Sequence, residues 1–173
     1  EHGKITQVLT KNDTPWSEET FGVASDLSCT DWHYVRHSDN TDLVATKDGD
    51  YIRLSGLFKG KPQEKTFKIG DGLWYQMMDM AIPAFIASEE KQIVFYSIGT
   101  GNNRGAMALG EFAAEKAGEE TIVINGVKHD CVKVTFVLTV FSWAWTGLYW
   151  YDKNNGQLVK SGEKGKNAVK SGY

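Results

Sequence analysis

The chain has 173 residues, 41% of them hydrophobic and 24% charged, with a formal net charge of -3 and a pI near 5.8. These values suit one folded domain with a substantial core and exclude a disordered chain or a disulfide-dense miniprotein. The slight acidity lacks the surplus of Lys and Arg that phosphate neutralisation requires, and no run approaches the roughly 18 apolar residues that cross a bilayer, so neither a nucleic-acid partner nor a membrane span is expected.

One domain is expected over 1–173, with irregular or frayed ends at 1–20 and 162–173. The basic region around the second end, Lys160, Lys164, Lys166 and Lys170 among glycine and serine, has the pattern of a solvated tail. The start at Glu1, with no initiator methionine, fits a mature exported protein or a trimmed sequence. From Cys29 the chain reads as a strand meander: CTDWHYVRH, LVAT, YIRLSGLF and QEKTFKI, separated by SDNT, KDGD and KGK. In YIRLSGLF, Ile52 and Leu54 share one parity and Tyr51, Arg53 and Ser55 the other, as a sheet with one covered face requires.

The pattern changes at DGLWYQMMDMAIPAFIASEE, where Trp74, Met77, Met78 and Ala81 fall at helical spacing. The spacing predicts a helix of about two turns that ends at Pro83. Strands then return: QIVFYSI, AMALGEFAAEK, EETIVI and VKHDCVKVTFVL, with Asn125-Gly126 as a hairpin turn. The stretch FSWAWTGLYWYDKNNG follows and ends in a second such pair, Asn155-Gly156. It places Phe141, Trp143, Trp145, Tyr149 and Tyr151 on one face of a strand, a row too apolar for a monomer to leave in water. Nine or ten strands around one helix predict a mainly β fold: a single curved antiparallel sheet with a short helical lid on its concave side.

Chemistry is sparse. His33 and His37 share a strand face but lie about 13 Å apart, too far to chelate one metal, so no metal site is expected. Gly-rich GTGNNRG at 99–105 lacks the GK[ST] ending of a phosphate loop. His129 is two residues from Cys131 without any nucleophile motif, and the Glu89-Glu90 and Glu119-Glu120 pairs sit beside turns, where solvation is the default. No catalytic residue, no cofactor and no enzyme activity are therefore expected. Cys29 and Cys131 are too few and too distant for a zinc or redox motif; one long-loop disulfide or two packed thiols remain the alternatives.

The segments WYQ (74–76), IPAFIAS, QIVFYSI, EETIVINGVKHDCVKV and LYWYDKNNGQLVK resemble a group of exported bacterial proteins of unknown function, itself similar to the lipoprotein-localisation-factor half-barrels. The likeness spans about Leu73 to Lys160. It implies a periplasmic or otherwise exported envelope protein whose concave face holds a lipid or other apolar molecule, with no catalytic residues. Trp74, Met77, Met78, Phe141, Trp143, Trp145, Tyr149 and Tyr151 are the cleft candidates. The alternatives are a structural or interaction domain with a filled core and an envelope-protein partner, or, ranked third, an enzyme using the same cleft.

Overall fold

The computed structural model describes residues 3–11, 14–76, 78–100, 105–139, 146–163 and 166–168. The first strands are β1 (Gly3–Lys11), β2 (Thr14–Val23), β3 (Cys29–Arg36), β4 (Thr41–Asp48), β5 (Tyr51–Phe58), β6 (Lys61–Lys68) and β7 (Leu73–Trp74). After helix α1 (Met78–Ala87) come β8 (Gln92–Thr100), β9 (Met107–Ile124), β10 (Val127–Leu138), β11 (Thr146–Asp152), β12 (Leu158–Glu163) and β13 (Lys166–Ala168). The fold is mainly β, as expected.

The strands form two sheets, where one was expected. β1 to β6 make an antiparallel meander in chain order, and β7 to β13 make the second sheet, also with chain neighbours side by side. The break falls after β6, where the Ile69 and Gly70 amides both donate to the Asp50 carbonyl and Gly72 donates back to Ile69. That tight turn ends pairing with β5 before the chain starts β7. A sheet of thirteen strands also exceeds the size beyond which open sheets usually split.

Segment 1–20 is not irregular over its described part. β1 and β2 pair from Gly3↔Val23 to Lys11↔Thr14, and β2 pairs onward with β3. β1 is exposed apart from half-buried Ile5, and β2 is anchored at its far end by buried Phe21 and Val23, so the backbone ladder orders the rest of the pair where no clean apolar alternation exists. At the other end, β12 to Glu163 and β13 over Lys166–Ala168 likewise make strand of the described part.

The helix begins later than its spacing predicts. Trp74 lies in β7, and α1 runs through Pro83 to Ala87. Pro83 is the sixth residue of α1, just past the four N-terminal amides that lack intrahelical partners, so it forfeits one intrahelical bond. Burial of Ala81, Ile82, Phe85 and Ile86 then favours continuing the helix. The Trp74-to-Met78 spacing came from a strand and a helix start that merely follow each other.

The chain divides into two compact units. The first comprises 1–77 and 96–110, the second 78–95 and 111–173, so β8 and β9 contribute to both. The first unit's core joins Phe21, Trp32, Leu43, Ala45, Ile52, Leu54 and Phe58 from the meander with Trp74, Ile98 and Met107. Two glutamines extend its pairing with side-chain amides. Gln76 Nε2 donates to the Ile98 carbonyl at 2.8 Å while its Oε1 accepts from the Ile98 amide at 2.9 Å and from Trp74 Nε1 at 3.1 Å. Buried Gln63 does the same near the start of β6, donating to the Gly105 carbonyl at 3.4 Å and accepting from the Met107 amide at 3.2 Å. Each amide group reproduces the donor and acceptor that a strand neighbour would offer.

Candidate functional site

The second unit carries the feature with most functional content: the two faces of β9, β10 and β11. Val132, Val134 and Phe136 of β10 alternate inward, and β11 pairs with them so that Val132 lies opposite Tyr151 and Val134 opposite Tyr149. On that face the rings run in an unbroken chain. Phe112 stacks on Phe95 at 5.7 Å between centroids, Phe95 meets Phe136 edge-on at 6.4 Å, Phe136 meets Tyr149 edge-on at 4.9 Å, and Tyr149 stacks beside Tyr151 at 6.5 Å. These are the offset and edge geometries that aromatic quadrupoles favour. Phe95, Phe136 and Tyr151 are buried, whereas Phe112 and Tyr149 are half-buried.

Helix α1 borders this unit's strands at two points. Gly156 approaches Pro83 so closely that an added Cβ would lie 2.6 Å from the Pro83 Cβ. Lys116 Nζ stands 4.9 Å from the Phe85 ring centroid and donates to the Ser88 carbonyl at 2.6 Å. The turn at Asn155-Gly156 differs from the expected two-residue hairpin: it spans 153–157, with the Gly156 amide donating to the Asp152 carbonyl and the Asn154 amide to the Asp152 carboxylate.

The opposite face is polar. Trp150 sits between Lys133 and Lys160, its cross-strand neighbours, with the ammonium groups 5.5 and 4.5 Å from its ring centroid. Its Nε1 donates to Glu120. Two alkyl chains and a carboxylate thus cover a ring that would otherwise be an exposed even-face aromatic. Beside it an open groove of about 410 Å³ is lined by Glu119, Glu120, Thr121, Asp130, Cys131, Lys153 and Asn154. Lys153 neutralises Glu119 at 2.6 Å, and Thr121 donates to Asp130 at 2.6 Å.

Cys131 lines this groove and His129 and Asp152 are its neighbours along and across the strands, but the three have no catalytic arrangement. His129 Nδ1 lies 3.5 Å from Asp152 Oδ2, but the Cys131 thiol points to the His129 backbone carbonyl, 3.5 Å away. Burial above all, with Asp152, Asp130 and Glu120 adding their negative charge, pushes the Cys131 thiol up to about 11. It stays protonated at neutral pH, the opposite of an activated nucleophile. The Asn154 amide, assisted by His129 and opposed by burial, holds Asp152 below the usual carboxylate range.

Of the cleft candidates read from sequence, Tyr149 and Tyr151 meet in the ring chain. Trp74 fills the core of the other unit. Met78 opens α1, with no side-chain position described, and Met77, Phe141, Trp143 and Trp145 lie outside the described residues. Sequence reading missed Phe95, Phe112 and Phe136. Phe136 was legible from its parity with Val132 and Val134; Phe95 and Phe112 join it only through strand pairing. Cys29 and Cys131 are both buried thiols, and no disulfide joins them. Cys29 Sγ accepts from the Gln76 amide at 3.4 Å. His33 pairs with Asp42 at 2.9 Å, and His37 begins a separate 3-10 turn. Among the described residues no cluster of three His, Cys, Asp or Glu side chains is arranged to hold a metal, and no helix is long and apolar enough to cross a membrane. Residues 101–104 of the glycine-rich loop lie outside the described set. No family model, no curated protein and no solved structure matches this chain.

Proposed function

We propose that this is a non-catalytic binding protein of the cell envelope that takes an apolar guest, such as a lipid acyl chain, against the aromatic face of its second unit. The observation that carries the reading is the continuous ring chain Phe112–Phe95–Phe136–Tyr149–Tyr151, in which the middle is buried and two members keep part of their surface accessible. Rings are rigid, so they accept an apolar chain with little loss of side-chain entropy. Helix α1, beside Gly156 and Lys116, serves as the cover. The protonated Cys131 and the intramolecular pairing of Glu119, Glu120 and Asp152 support a binding role over catalysis.

Titration of the delipidated protein with a fluorescent fatty acid tests this. Saturable binding, weakened several-fold by Tyr149→Ala and by Phe112→Ala in folded protein, is the expected result. Absence of saturable binding, or binding indifferent to both substitutions, refutes it. A second reading, an interaction domain with a filled core, draws on the β9–β10 hairpin, where Val123 is 61% and Val127 56% exposed.

A further inference from the structure

The β9–β10 hairpin extends beyond every described strand that flanks it. On one side β8 begins only at Gln92, and the Lys116 amide donating to the Lys91 carbonyl marks the end of that pairing. On the other side β11 accompanies β10 from Cys131 onward, with the Lys153 amide reaching the Asp130 carbonyl. Among the described residues, 121–130 therefore form a two-stranded arm paired only with itself, from Ile124↔Val127 down to Thr121↔Asp130, and the outer edge of β9 has no neighbouring strand back to Ala117. Asn125 (φ 51°) and Gly126 (φ 82°) close it with the left-handed pair that a two-residue hairpin needs.

That turn decides which backbone groups face outward. Ile124 and Val127 flank a two-residue loop and exchange hydrogen bonds, so Val123, Thr121 and Glu119 alternate to present their N–H and C=O groups to the free edge of β9. The outward Asp130 carbonyl, on the other edge, confirms the phase by accepting from Lys153. The β9 edge thus offers a row of backbone donors and acceptors beside Ile122, Val123 and Ile124, the template on which another strand adds.

We propose that a second copy of this chain occupies that edge, β9 against β9 in antiparallel pairing about a two-fold axis. With Ile122 opposite its own symmetry mate, Thr121 faces Val123 of the second copy and Glu120 faces Ile124. Both outward-facing Thr121–Val123 pairs then exchange backbone hydrogen bonds, and Ile122 packs on Ile122 at the closer, non-hydrogen-bonded position. Charge complementarity favours a like strand over an oppositely charged peptide. The segment from Thr121 to Ile124 is uncharged, no glutamate meets a glutamate, and Glu119 and Glu120 are already matched by Lys153 and Trp150 of their own chain. A self-complementary patch closes by two-fold symmetry without forming filaments. This pairing holds whether or not the aromatic face takes a guest.

Sedimentation velocity over roughly a hundredfold range of concentration reads the association directly. The expected species is a reversible dimer of twice the 19.3 kDa chain mass. Val123→Pro removes one outward N–H without breaking a bond inside the hairpin, and it should leave a monomer with unchanged far-ultraviolet circular dichroism. Ile122→Cys provides an arm that does not depend on that variant: mild oxidation should link it into a covalent dimer while the wild-type chain, whose thiols are buried, stays unlinked. A wild-type monomer at every concentration overturns the proposal. So does a dimer that survives Val123→Pro and fails to cross-link through Ile122→Cys.

Discussion

Replacing Gly156 by alanine tests the packing of α1 within the second unit. Gly156 has φ 69°, and a Cβ there would lie 2.6 Å from the Pro83 Cβ and 2.9 Å from its Cα, well inside the 3.5–4.0 Å at which carbons attract. The left-handed backbone alone costs alanine about 1–2 kcal/mol, and forcing a methyl into a packed contact costs about 1–3 kcal/mol more. Gly126→Ala is the matched control, because Gly126 has φ 82° and nothing within 4 Å of the added atom. Urea unfolding followed by tryptophan fluorescence should place Gly156→Ala about 2–5 kcal/mol below wild type, roughly a 5–15 °C drop in melting temperature, and Gly126→Ala only about 1–2 kcal/mol below. Pro83→Gly deletes the nearest atom, so in the double variant it should recover part of the loss as a coupling energy of about 1–2 kcal/mol. Equal losses at Gly156 and Gly126, or no coupling with Pro83, would mean that the turn does not press on α1.

Two further predictions concern ionisable groups. Burial raises the Glu19 carboxyl above its ordinary range, with the 3.0 Å bond from Trp32 Nε1 opposing. The folded protein therefore holds that proton more tightly than the unfolded chain, and the stability it lends is complete below the unfolded carboxyl range near about 4 and lost as pH rises through the folded value. Glu19→Gln should melt higher than wild type at pH 8, with the gap narrowing towards pH 3; a constant gap across that range contradicts the assignment. For Cys131, a thiol raised to about 11 and fully buried should react with iodoacetamide at pH 8 at least about a hundredfold more slowly than an exposed cysteine. Native protein should thus show no fast thiol and urea-unfolded protein two, whereas one fast equivalent in the native state would restore a nucleophilic reading of the His129–Cys131 pair.

Local pattern alone was sufficient for the mainly β class, the meander from Cys29 to Lys68 and the Asn125-Gly126 hairpin. Each depends on alternation or on turn residues within a few positions. The same holds for the shared face of Tyr149 and Tyr151, since strand parity survives whatever the strand pairs with. Pairing partners decided the rest. β1 buries almost nothing and β2 buries Phe21 and Val23 only at its far end, so neither shows a full apolar alternation, yet the β3 ladder orders them. Trp74 and Met78 show helical spacing although one lies in a strand, because periodicity cannot see where an element starts. Trp150 should have been an exposed ring by parity, and only the register that sets Lys133 and Lys160 on either side shows how it is covered. Phe95, Phe112 and Phe136 come from three strands and become neighbours of Tyr149 through long-range pairing. The sequence alone determined which residues could share a face; which faces met, and therefore where the aromatic row lies and which edge was left free, needed the tertiary structure, because contacts between distant segments leave no mark in local spacing.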